Sequence, residues 1–125
     1  MFEKLRIRVF GDQPTPNITD KLLDRIIQKD YPNDFHDVKK KLELIDSDSK
    51  KGKNRFAAAV LKLADRDLTK IDSLIEMCDN DFRDVVTQAE YPRIFKVDFD
   101  DIDETEEKKT YLADWTDYSN WLKKY

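Results

Sequence analysis

Few side chains in this sequence could do nucleophilic or metal chemistry: it has one cysteine, Cys78, and one histidine, His36. As a nucleophile and its base they would need an exposed, activated thiol and a third group to orient the imidazole. Cys78 instead continues an apolar stripe formed by Leu68, Ile71, Leu74 and Ile75, and Asp79 beside it would hold the thiol protonated. His36 projects roughly 150° from the centre of the Phe35–Val38–Leu42–Ile45 stripe, at 100° per residue. The pair reads as a core thiol and a surface imidazole. A lone cysteine also excludes an internal disulfide and a multi-cysteine zinc site.

The Asp-x-Asp pairs invite a calcium reading, which needs glycine at the sixth position of the loop and glutamate at the twelfth. Counting from Asp46 gives Lys51 and Ala57, and counting from Asp98 gives Asp103 and Lys109. From Asp79 the twelfth residue is Glu90, but the sixth is Asp84. No metal, cofactor or catalytic set is expected on these patterns, and the chain reads as non-enzymatic.

Two constellations could bind. The first is Lys50-Lys51-Gly52-Lys53-Asn54-Arg55, read as the end of a polar loop that runs from Asp46 to Arg55 ahead of the helical run Phe56 to Ala64, with Asn54 as its candidate cap. Free N–H groups and the helix dipole favour an anion there, so Lys50, Lys51, Lys53 and Arg55 are candidate phosphate contacts, with Lys39-Lys40-Lys41 nearby in sequence. The P-loop pattern is absent. The plainer reading is a solvated loop in which Lys53 or Arg55 pairs with carboxylates. The second constellation is aromatic: Tyr111, Trp115, Tyr118, Trp121 and Tyr125 recur at spacings of 4, 3, 3 and 4. On a helix they share roughly 120° of arc, with Leu122 among them and Asp114 at the edge. Such a face packs on its own domain, with Trp115 as the deepest anchor, or offers Tyr111, Trp115, Tyr118 and Trp121 to a partner.

The elements that must position these groups are helical. Ile18, Leu22, Leu23, Ile26 and Ile27 line one helix, capped by Asn17 or Thr19 and stopped before Pro32. Phe35, Val38, Leu42 and Ile45 line a second. Phe56 to Ala64 (FAAAVLKLA) is apolar nearly all round, with Lys62 its single charge, which places it at the centre of the core. Two shorter stripes follow, ending in Cys78 and Ala89, with Asn54, Asp67 and Asn80 as caps spaced 13 residues apart. Residues 3–10 fit a strand by alternation of Leu5, Ile7 and Val9, and a helix by Phe2, Leu5 and Val9; with Gly11 following, helix is preferred. Phe95, Val97 and Phe99 alternate with Lys96 and Asp98, which leaves room for a short extended segment near residues 94–99.

Composition sets the outer bounds. The 125 residues suffice for one domain, and 40% of them are charged. No apolar run approaches the ~20 residues of a membrane span, and the charged N-terminus does not read as a signal peptide. Residues 1–60 hold 13 basic and 10 acidic side chains and residues 61–125 hold 10 and 17, so the halves carry +3 and −7. Seven of the ten residues 98–107 (DFDDIDETEE) are acidic. An acidic protein of this kind repels bulk nucleic acid.

The stretch from Asn54 to Arg93, with Phe10-Gly11 before Pro14, a serine-lysine-glycine loop and the DFRDV…AEYP segment from Asp81 to Pro92, resembles a family of short uncharacterised bacterial helical proteins. The resemblance spans roughly residues 1–93. It implies a bacterial, helical, cytoplasmic protein and carries no activity.

The sequence therefore predicts an all-α, compact bundle of five or six short helices. Residues 1–93 form the helical core, 94–107 an acidic connecting segment, and 108–125 an aromatic helix that packs on the core. The expected function is a non-enzymatic protein-binding module, for which an inhibitor or immunity-type protein is a fitting subclass. The alternative is a weak nucleic-acid or phosphate-ligand binder using the Lys50–Arg55 loop. The expected partner is another protein, with neither nucleic acid nor membrane, acting in the cytoplasm as a monomer or weak homodimer.

Overall fold

The computed structural model describes residues 15–97 and 102–125. The helix-or-strand alternative at residues 3–10 and the Asp98-x-Asp100 pair lie outside these residues. Among the described residues there are six α-helices, one 3-10 turn and no strand. The chain is an all-α bundle.

Helix α1 (Asp20–Asp30) begins at Thr19, whose Oγ1 accepts the Leu22 N–H at 3.1 Å. It buries Leu23, Ile26 and Ile27 and stops at Tyr31, one residue before the proline that could not continue it. Helix α2 (Phe35–Leu42) presents Val38 and Leu42 to the same core. Helix α3 (Lys50–Ala64) follows, with Ala57, Ala58, Ala59, Val60, Leu61 and Ala64 all buried. Three consecutive alanines leave little side chain on this helix, so α4 can approach its backbone closely. That is why the apolar run sits at the centre.

Helix α3 ends on Asp65 in the left-handed region (φ 48°, ψ 54°), followed by Arg66 at φ 67°. A 3-10 turn (Leu68–Lys70), capped by Asp67 onto Thr69 N–H, leads into α4 (Ile71–Glu90). Helix α5 is the single turn Pro92–Phe95, and α6 runs from Glu104 to Lys123 with Asp103 as its cap.

Four expectations about the limits of elements change. The Lys50–Arg55 stretch is not a loop: Ser49 caps the helix by accepting Gly52 N–H at 3.0 Å, and the lysines form its first turns. Asn54 therefore caps nothing; its amide donates to Ile18 C=O and to Asp20. The two stripes after Leu68 belong to one 20-residue element, interrupted only at Asp81 (φ −155°, ψ 94°), whose carboxylate accepts Arg83 N–H as a cap would. The break was expected one residue earlier, at Asn80. Finally, Ile94 and Phe95 are helical rather than extended. Pro92 supplies the first-turn φ, and Ile94 is pulled wholly into the interior.

Helix α6 closes the bundle. Tyr111 packs with Tyr91 and Ile94, the Tyr91 and Tyr111 rings meeting edge-on at 5.6 Å. One or more turns later, Trp121, Leu122 and Tyr125 cover the main core. Tyr118 between them is fully buried, whereas Trp115 is only half-buried. The deepest anchor is Tyr118, not Trp115. The reason is Asp114, which lies wholly inside and turns the helix so that its own side of the arc faces inward.

Candidate functional site

Two polar clusters hold the last helices in place. Arg55 on α3 meets Glu90 on α4 in a two-pronged pair, Nε to Oε2 at 2.8 Å and Nη2 to Oε1 at 2.7 Å. Glu90 is fully buried. Burial pushes its carboxyl upward, against the pull of the Arg55 hydrogen bonds and charge. Asp114 on α6 accepts Ile94 N–H at 3.1 Å and Arg93 N–H at 3.3 Å, and Arg93 Nη1 at 2.9 Å. It thus caps the short α5 from across the interface. Lys62 donates to Ala89 C=O in the last turn of α4 and lies over the Tyr118 ring, 5.4 Å from its centroid. A cation at a helix C-terminus complements the dipole. Burial lowers its pKa, opposed by Asp114, Asp117 and Glu90. Sequence periodicity missed Glu90 and Arg93 entirely; Asp114, out of place on an aromatic stripe, was the visible signal.

The sequence's catalytic candidates do not meet. His36 is exposed at the start of α2, while Cys78 is buried within α4 with its thiol pushed up to about 12 by burial and by Asp79. Among the described residues no three metal-ligating side chains converge. No described helix is long and apolar enough to cross a membrane.

The candidate anion contacts are mostly engaged by the protein itself. Lys50 Nζ sits 2.6 Å from Asp20, which the Lys50 and Asn54 hydrogen bonds hold below its ordinary carboxylate range. Lys53 Nζ donates to Glu43 C=O. Arg55 is committed to Glu90. Only Lys51 projects into solvent with no partner among the described residues. Gly52 is needed here: a Cβ on it would fall 2.8 Å from Ser47 Oγ and 3.0 Å from Ser49 Oγ, the hydroxyls that close over the helix start.

The candidate partner contacts are spent in a similar way. Tyr111 and Tyr118 are buried in the chain's own core, and Trp115 and Trp121 pack half-buried beside them. Tyr125 is tied down as well, its hydroxyl donating to Asp30 at 2.8 Å while Lys29 donates to Lys124 C=O.

What remains open is an acidic edge. The turn after α2 exposes Leu44, 73% accessible. Its two flanks are fastened to α4: Lys41 pairs with Asp72 at 3.2 Å, and Asp46 N–H donates to Asp79 at 3.2 Å. Asp72, Glu76 and Asp79 lie on one side of α4 by helical spacing, so the exposed leucine stands beside a carboxylate stripe. Glu76 is exposed and has no partner among the described residues. Helix α4 carries Asp72, Glu76, Asp79, Asp81, Asp84 and Glu90 against one cation, Arg83.

Comparison with known protein families, curated proteins and solved structures finds no match to this chain.

Proposed function

We propose that this chain is a non-enzymatic protein-binding module of the bacterial cytoplasm, of inhibitor or immunity type, whose acidic edge meets a basic partner. The observation that carries the reading is Leu44, exposed yet held in place by the Lys41–Asp72 and Asp46–Asp79 ties. An apolar centre with a polar rim is the anatomy of a protein interface, and a turn whose flanks are already fixed loses little backbone entropy when it docks. Carboxylates around it steer a basic surface and repel an acidic one. The nucleic-acid alternative is the weaker of the two because three of its four candidate cations, Lys50, Lys53 and Arg55, are engaged within the fold.

The test is capture from the native host with the full chain as bait, beside a Leu44→Ala/Glu76→Lys double variant whose melting curve matches wild type. The reading expects a basic protein retained by wild type and lost from the variant. Equal retention on both baits would remove this edge as the binding surface, and enrichment of nucleic acid instead would favour the alternative.

A further inference from the structure

A cleft of about 740 Å³ opens between α1, the end of α2, the 43–49 turn and the start of α3. It falls within the size range of small-ligand sites. Its floor is apolar, made by Leu23 and Ile27 of α1, Leu42 of α2 and Ala57 of α3. Its rim is charged, and the charges are unevenly committed. Each cation on it already has a partner: Lys39 pairs with Asp24 at 3.0 Å, Lys50 with Asp20 at 2.6 Å, and Lys53 donates to Glu43 C=O. The carboxylates of Glu43 and Asp48 have no ion-pair or hydrogen-bond partner among the described residues.

That imbalance decides which ligand the cleft can take. An anion would have to pull Lys39 or Lys50 off its carboxylate or Lys53 off a carbonyl, on a rim where four carboxylates (Asp20, Asp24, Glu43, Asp48) face three ammonium groups. A cation breaks nothing and finds Glu43 and Asp48 open. A bare metal ion would leave the apolar floor unused. A methylene stem ending in an ammonium uses both, lying along Leu23, Ile27 and Leu42 while the charged head stays at the wet rim. We infer that the cleft binds an aliphatic primary ammonium, the chemistry shared by a free diamine and a lysine side chain of another protein. The inference does not depend on the acidic edge at Leu44, since a free amine tests the cleft by itself.

The experiment is an amide-resolved NMR titration of the full chain at constant ionic strength. The probes are cadaverine, a blocked Gly-Lys-Gly peptide, its norleucine counterpart and inorganic phosphate. The expected result is saturable shifts over residues 42–54 with cadaverine, the lysine peptide or both, and none with norleucine or phosphate. Which amine saturates tells the source, and either supports the site. A Glu43→Gln/Asp48→Asn variant should weaken that binding about tenfold or more, two ion contacts being lost, while Glu76→Gln on α4 leaves it unchanged. The site is overturned if neither amine saturates, if norleucine or phosphate shifts the same amides, or if the double variant binds as wild type does. Equal partner retention by wild type and the Leu44→Ala/Glu76→Lys variant, with intact amine binding, would sink the edge and leave the cleft standing.

Discussion

At the scale of single residues, burial outranks residue type. Tyr118 is fully buried and its hydroxyl has no hydrogen-bond partner among the described residues, so the ring stabilises the fold and the oxygen costs desolvation. Tyr118→Ala should cost about 3 kcal/mol or more, as large aromatic truncations in a core do. Tyr118→Phe should be neutral or stabilising. Half-buried Trp115→Ala should cost less than Tyr118→Ala, and urea unfolding of the three variants gives the order. Cys78 follows the same logic. With its thiol pushed up to about 12, almost no thiolate exists at neutral pH. Iodoacetamide should modify native Cys78 slowly and unfolded Cys78 fast, and Cys78→Ala should lower stability by about 1 kcal/mol. Rapid labelling of the native protein would contradict the burial.

At the scale of elements, apolar periodicity located the helices and polar chemistry set their limits. Thr19 and Asp67 were legible as caps because short polar side chains precede apolar stripes there. The start of α3 was not legible. Four cations look like a solvated loop, and only the serine at position 49, with glycine 52 beneath it, reveals the cap. The Pro92–Phe95 turn was masked by a two-residue alternation that continues past it, and what makes it helical is a carboxylate 20 residues on, Asp114 of the next helix. The end of α3 carries a strain the sequence does not advertise. Asp65 is exposed and left-handed, where a residue with a Cβ pays about 1 kcal/mol that glycine does not. Asp65→Gly should raise stability by up to about 0.5 kcal/mol in thermal or urea unfolding, net of the entropy glycine adds to the unfolded chain. A destabilised variant would mean that Asp65 makes a contribution beyond its backbone angle.

At the scale of the whole molecule, the +3 and −7 halves are joined through the interior by Arg55 and Glu90. Arg55→Met should destabilise by about 3 to 5 kcal/mol at neutral pH, because it leaves the buried Glu90 carboxylate without its hydrogen-bonded counter-ion, with only the pull of Lys62. The deficit should depend on pH with a definite sign. A carboxyl raised above its unfolded value near 4.5 contributes its full stability below that value and loses it as pH rises through the folded pKa. The variant should therefore approach wild type towards pH 4.5 and fall away from it towards neutrality. A gap independent of pH would show that the pair matters for packing rather than charge.

The acidic edge beside Leu44 is the central claim, and the rate at which the captured partner associates with the full chain, followed against salt, tests it most directly. Steering by Glu76 and its neighbours predicts association that slows as salt rises, and that slows further in Glu76→Lys while the folded state is unchanged. Association insensitive both to salt and to Glu76→Lys would contradict it.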